Sequence, residues 1–367
     1  MRLVVRSTLV ACLLVVACSR QEAPSAPPGP PAAMTPPPPP PPAAPTVRFV
    51  GRFDATDPNA VRFAWSGSAV VARFKGTGIS ARFIDENAKN VFQVLVDGEP
   101  KRIVKAEKGR EIYPLVDQLP EGVHEIALYK RTEADVGEVT FLGFDAEGTL
   151  LPAPPAAERR MEFIGDSITA GYGNEGPGAV CTFNPNEQNE YLTYGAVAAR
   201  ALDAEHVTIA WSGKTIGQMT DFYERTLPAR IDSKWDFKSF IPHVVVMNVG
   251  TNNLAVYDPG EEKWVRIYTA LYNRIRAAYP EAFIICALGP MLTDVYPPGK
   301  QNLTIARRYM KATMAKIKAS GETSFAFLEF PEQRHADGLG CGFHPSLKTH
   351  KLMADRVVAL TRERLGW

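Results

Sequence analysis

A chain of 367 residues exceeds what one hydrophobic core usually serves, which excludes a single small domain and predicts two domains with accessory segments. Hydrophobic residues at 45% and charged residues at 22% exclude a disordered chain and fit a globular protein with a sizeable core. Lys and Arg total 41 against 40 Asp and Glu, a net charge of +1, so there is no field to gather polyanions and a nucleic-acid partner is not expected.

In chain order, Arg2 and Arg6 precede an apolar run, Ser7 to Ala17, that is too short to span a bilayer. This is a signal-peptide pattern over residues 1–18, and it predicts export. The run ends in Val15-Val16-Ala17-Cys18, which resembles the lipobox of bacterial lipoproteins. That resemblance implies a lipid on Cys18 and a membrane-anchored protein of the cell envelope, in contact with the membrane through the anchor alone. Residues 19–46 are dominated by Pro and Ala, with Pro36 to Pro42 all proline. Such a segment has no apolar face to bury and reads as an extended spacer.

Residues 47–150 carry short alternating apolar segments and no helical period. Val61–Trp65, Ala69–Phe74, Ile79–Ile84, Val91–Val96, Glu125–Tyr129 and Val139–Phe144 are read as strands. Turn signals separate them at Ser66-Gly67, Gly76-Thr77-Gly78, Asp97-Gly98 and Glu121-Gly122. Many closely spaced strands predict an all-β sandwich.

After a linker at residues 151–160 the pattern changes. Met161–Ile164, Val207–Ala210, Val244–Val249, Phe283–Leu288 and Phe325–Leu328 are short apolar runs of the kind found in strands buried on both faces. Amphipathic stretches lie between and after them at Tyr191–Leu202, Ile216–Thr226, Glu262–Ala278, Gln301–Ala319 and Ser346–Leu365. This alternation over residues 161–367 predicts a doubly wound parallel sheet with its ligand crevice at the carboxyl ends of the strands.

Four segments fall near those ends. Ser167 follows the first strand and opens a helix, where a turn exposes it near the positive end of a helix dipole. Gly213 follows the second strand, Asn252 follows the third, and His344 precedes the last helix. Acyl transfer needs a nucleophile, a base to take its proton, and donors aimed at the oxygen that becomes negative. Ser167 and His344 supply the first two; the Ser167 and Gly213 amides and the Asn252 side chain supply the third. Asp166 is expected to brace the nucleophile turn, and Asn253 to bond within its loop. Trp211 and Phe343 neighbour these elements and are the preferred aromatic candidates for stacking on a substrate ring, ahead of Tyr172, Phe183 and Tyr191.

Export places Cys181, Cys286 and Cys341 where disulfides persist. Cys286 lies in an apolar run and reads as a small core residue, whereas Cys181 and Cys341 lie in Gly-rich polar surroundings and are predicted to pair. His124, His206, His243, His335 and His350 show no metal-ligand spacing, so neither metal nor cofactor is expected.

Gly165-Asp166-Ser167, Gly213, Gly250-Thr251-Asn252 and His344 resemble, in order and spacing, the four blocks of SGNH (GDSL-type) hydrolases. With a sandwich upstream, the chain resembles carbohydrate esterase family 2. That resemblance implies a jelly-roll domain followed by a flavodoxin-like three-layer SGNH domain, with both domains sharing the cleft. It also implies O-acetyl ester hydrolysis on carbohydrate, with an acetylated polysaccharide or oligosaccharide as partner. The missing Gly-x-Ser-x-Gly elbow around Ser167 argues against an α/β-hydrolase.

One departure bears on mechanism. Most SGNH enzymes have an aspartate three residues before the histidine, and here that residue is Cys341; the acid often found two before is Gly342. The expectation is a Ser–His dyad with the Cys341 backbone carbonyl orienting the imidazole, or else rescue by Asp337. Two rival readings are a surface lipoprotein that binds glycans without cleaving them, and an SGNH esterase acting on lipid, thioester or peptidoglycan acetyl groups.

Overall fold

The computed structural model describes residues 44–367. The signal segment, Cys12, Cys18 and the Pro-rich tract as far as residue 43 lie outside the described residues.

The first domain is a nine-stranded antiparallel sheet: β1 (Val47–Val50), β2 (Phe53–Asp54), β3 (Val61–Phe63), β4 (Ala69–Asp85), β5 (Val91–Val96), β6 (Glu99–Lys105), β7 (Ile112–Val116), β8 (Gly122–Lys130) and β9 (Val139–Leu151). The strand order β2-β3-β9-β4-β8-β5-β6, with β1 and β7 also on β4, makes the 17-residue β4 its organiser. Its first half pairs with β1 and β8 and its second half with β7, while β9 runs along it from Arg73 to Asp85.

Gly76-Thr77-Gly78, expected to be a turn between two strands, is a bulge inside β4. The core residues before it are Val70, Ala72 and Phe74, and those after it are Ile79, Ala81 and Phe83, all 0–2% exposed. The extra residue changes the parity, so that both halves keep their apolar side chains inward. Gly76 (φ +154°) and Gly148 (φ +137°) cross here so closely that a Cβ on either would lie 1.9 or 2.0 Å from a backbone oxygen of the facing strand.

The second domain runs β10 (Arg159–Gly165), α1 (Ser167–Ala170), α2 (Tyr194–Ala201), β11 (Ala204–Ala210), α3 (Ile216–Phe222), β12 (Val244–Asn248), α4 (Thr251–Val256), α5 (Glu261–Ala278), β13 (Phe283–Leu288), α6 (Asn302–Ala319), β14 (Phe325–Glu329) and α7 (Leu347–Leu365). Its five strands are all parallel in the order β11-β10-β12-β13-β14. Met161 and Phe163 of β10 face α2 and α7, whereas Ile164 faces the layer built by α3, α5 and α6. Burial on both faces is why the central strands β12 and β13 read as apolar runs, each large side chain contributing about 1.5–3 kcal/mol. The strand order reverses between β10 and β12, which opens a crevice at their carboxyl ends.

The two domains share a core. Trp65 of the first is fully buried among the side chains of the second, and its indole donates to the Arg225 carbonyl at 3.2 Å. Arg52 enters the second domain and meets the buried Glu162 at 3.5 Å. Burial pushes the Glu162 carboxyl up, and the Arg52 guanidinium opposes that shift. Only residues 152–158 separate β9 from β10. Among the described residues, no helix is long and apolar enough to cross a membrane.

Candidate active site

Ser167 is the first residue of α1, directly beyond the carboxyl end of β10. Asp166 caps the helix by accepting from the Ile168 amide at 3.1 Å. Burial pushes the Asp166 carboxyl up to about 7. As the first residue of the helix, Ser167 has an amide with no partner inside it.

His344 comes from the far end of the chain, on the loop before α7, and its Nε2 lies 2.8 Å from Ser167 Oγ. Its Nδ1 lies 3.0 Å from the Cys341 carbonyl and 3.1 Å from that of Gly342. Carbonyl oxygens only accept, so Nδ1 carries the proton and Nε2 presents a lone pair to the serine hydroxyl. Gly342 and Phe343 both take left-handed φ values (+61° and +62°), folding the loop back so that two carbonyls reach one nitrogen. Burial holds His344 below the ordinary imidazole range, opposed by the two carbonyls, and keeps it available as a base. The Tyr172 ring packs against the imidazole, with centroids 4.4 Å apart, and stacks in turn on Phe183.

Cys341 and Cys181 form a disulfide that joins positions 160 residues apart. The Cys341 amide also donates to the Gly173 carbonyl at 3.0 Å, so the histidine loop is tied to the segment after α1. Cys286 is a buried free thiol, pushed up to about 12 by burial. Cys181, Glu187 and Cys341 cluster closely enough to resemble a metal site, but the two sulfurs are bonded to each other and offer no thiolate.

Asp337 does not orient the histidine, which corrects one of the two expectations. Its carboxylate lies 2.9 Å from Arg334 and 2.7 Å from Lys348, and this pairing holds it below the usual carboxylate range. The orienting group is the peptide backbone.

Gly213 (φ +75°) lies in the turn after β11, and among the described residues its amide meets no protein acceptor. Asn252 is held on α4 by Gly250 (φ +129°), where a Cβ would come within 2.6 Å of the buried Trp264 ring. One Asn252 amide hydrogen goes to the Lys214 carbonyl at 3.1 Å, and the other reaches Asp166 only at 3.4 Å. That long second bond is the one readily exchanged for a stronger acceptor. Asn253 accepts from the Ile216 amide at the start of α3, a bond that fixes the loop.

Trp211 and Phe343 face different spaces. Trp211 packs on Phe222 (4.8 Å) beneath the Lys214 ammonium, and lines an interdomain cavity of about 520 Å³ with Asp135, Glu138 and Arg230. Phe343, 54% exposed, lines a more apolar cavity of about 790 Å³ with Thr251, Leu292 and Tyr296, beside His344. Two contributors went unread in the sequence. Tyr296 lies in a stretch with no secondary-structure period, and Glu133 belongs to the other domain, where it accepts from both the Ser212 amide and hydroxyl at 2.6 Å.

Comparison with known proteins agrees with this architecture. Residues 49–154 match a family model described as "Carbohydrate esterase 2 N-terminal", and residues 163–352 match "GDSL-like Lipase/Acylhydrolase family". A "Cellulase/esterase CelE" of Acetivibrio thermocellus is 41% identical over 333 residues, covering 88% of this chain but only 40% of that protein. An "Acetylxylan esterase / glucomannan deacetylase" of Cellvibrio japonicus is 27% identical over 335 residues, covering 85% of this chain and 88% of that one. A solved family two carbohydrate esterase from Clostridium thermocellum, in complex with cellohexaose, superposes with a TM-score of 0.82 at 40% identity, covering 88% of this chain and 99% of that one. The chain therefore belongs to carbohydrate esterase family 2, a sheet domain joined to a parallel-sheet hydrolase of the GDSL (SGNH) type.

Proposed function

We propose that this protein is a serine esterase that removes O-acetyl groups from polysaccharide through an acetyl-enzyme. The observation that carries the reading is the 2.8 Å approach of His344 Nε2 to Ser167 Oγ, with two backbone carbonyls fixing the tautomer behind it. Ser167 Oγ attacks the acetyl carbonyl while His344 takes its proton. The oxyanion is held by the Ser167 and Gly213 amides and the Asn252 side chain. Collapse breaks the ester bond, and His344 returns the proton to the departing sugar hydroxyl. Water, deprotonated by His344, then attacks the acetyl-enzyme and releases acetate.

Acetylated xylan or glucomannan is the proposed substrate class, supported by the names of the Cellvibrio relatives and by the cellohexaose in the Clostridium complex. Acetate release is measured across acetylated xylan, glucomannan, peptidoglycan and a lipid ester. Turnover of the first two at rates well above the others is expected, whereas preference for peptidoglycan or lipid would overturn the substrate assignment.

We further propose that the protein is exported and anchored by lipid on Cys18, supported by the charged, apolar and small-residue order of the first 18 residues. Metabolic labelling with palmitate should mark the wild type and not Cys18→Ser.

A further inference from the structure

The first domain touches the catalytic loops through residues 130–136. Arg131 donates to the carbonyls of Gln188 (3.3 Å) and Asn186 (3.4 Å) and pairs with Glu175, while its own carbonyl accepts from the Glu190 amide at 3.0 Å. The buried Lys130 ammonium donates to the Thr132 and Glu133 carbonyls at 2.7 and 3.0 Å, which fixes the bend. Glu133, 2% exposed, projects from that bend into the second domain. Oε2 accepts from the Ser212 amide and Oε1 from the Ser212 hydroxyl, each at 2.6 Å. Oε1 also accepts at 3.2 Å from Gln188, whose amide donates in turn to the Ala170 carbonyl at the end of α1.

Ser212 immediately precedes Gly213. Holding a residue by its amide and its side chain together fixes its backbone, and therefore the direction of the peptide N–H that follows. The turn is held elsewhere too: the Trp211 amide donates to the Gly165 carbonyl at 3.3 Å, and the Lys214 carbonyl receives Asn252. An apolar side chain would weld two domains as well as a carboxylate does, without the cost of burying charge. It would not grip a backbone amide and a hydroxyl of one residue.

We propose that Glu133 is a positioning residue for the esterase reaction, clamping Ser212 so that the Gly213 amide is aimed at the developing oxyanion. The sheet domain is thereby part of the catalytic apparatus, although it supplies no reacting atom. The proposal rests on the esterase reading above, with Gly213 as an oxyanion donor.

The test uses the full chain with an aryl acetate, counting active sites by fluorophosphonate labelling of Ser167 so that kcat is expressed per competent site. Glu133→Ala is expected to lower kcat roughly 10- to 100-fold, the cost of misplacing a transition-state donor, with KM within about twofold. An aryl boronic acid, which mimics the tetrahedral species, should bind more weakly by a similar factor. Glu133→Gln keeps one acceptor for the Ser212 amide and should fall between Glu133→Ala and wild type. Adding Ser212→Ala to either variant should cost much less than it does in the wild type, because the two residues act as one unit. Should Glu133→Ala fail to fold, Glu133→Gln with and without Ser212→Ala decides the question. A kcat per labelled site within about threefold of wild type in every folded variant, or fully multiplicative effects of Glu133 and Ser212, overturns the proposal. An unlabelled Ser167 in the wild type would overturn the esterase reading itself, a result distinguishable from the others.

Discussion

The Nδ1 of His344 lies 3.0 Å from the carbonyl oxygen of Cys341, the position where most SGNH enzymes carry a carboxylate that faces the histidine. A carbonyl fixes the tautomer as a carboxylate does, but adds no negative charge to balance the imidazolium formed in the transition state. In the proposed mechanism His344 therefore acts as the base of a dyad, and Asp337, the acid that the sequence offered, is engaged by Arg334 and Lys348. Asp337→Asn should leave kcat within about threefold of wild type, because the oxyanion donors and the tautomer are untouched. Steady-state kinetics on an aryl acetate check this, and a loss of two orders of magnitude would restore Asp337 to the site.

The same carbonyl belongs to a half-cystine. Cys181→Ser removes the crosslink between positions 160 residues apart, and should cost roughly 2–5 kcal/mol of stability. It should also lower kcat, since the loop that presents the Cys341 carbonyl loses its covalent tie. Thermal unfolding and single-turnover acylation, each with and without reductant, report the two effects separately. Unchanged acylation in the folded variant would mean that the loop holds its shape through its hydrogen bonds alone.

Burial holds His344 below its ordinary value of 6.5. The neutral, proton-accepting form therefore persists to lower pH, and activity is lost only as pH falls through the depressed value. The acid limb of kcat/KM should have its midpoint below about 6.5, the reference value for an exposed imidazole. A midpoint at or above 7 would show that the carbonyl bonds outweigh burial.

Asn252→Ala should lower kcat roughly 100- to 1,000-fold if its amide turns from Asp166 to the oxyanion. The 3.4 Å bond to Asp166 is the one given up in that turn. A change of only a few-fold would assign Asn252 to bracing the Lys214 turn.

The parallel sheet was legible because its central strands are buried on both faces, and Val244–Met247 and Phe283–Leu288 therefore stand out as uninterrupted apolar runs. The first domain was only partly so. β6 exposes all but one of its residues and carries no alternation to read, while β7 contains Pro114, which weakens a strand signal. Gly76, one of the two glycines that signal a turn, instead serves a close strand crossing, a distinction that depends on Gly148 far along the chain. Ser167, Gly213, Asn252 and His344 could be located because each follows or precedes a recognisable element. Glu133 could not, since its partner Ser212 is 79 residues away in the other domain and no local pattern links them.

The central claim is that Ser167 carries the acyl group, and mass spectrometry of the acid-quenched enzyme tests it most directly. During turnover of an acetyl ester, a single acetyl adduct should appear on the peptide containing Ser167 and be absent from Ser167→Ala. An acetyl group found on another residue, or turnover retained by Ser167→Ala, would contradict it.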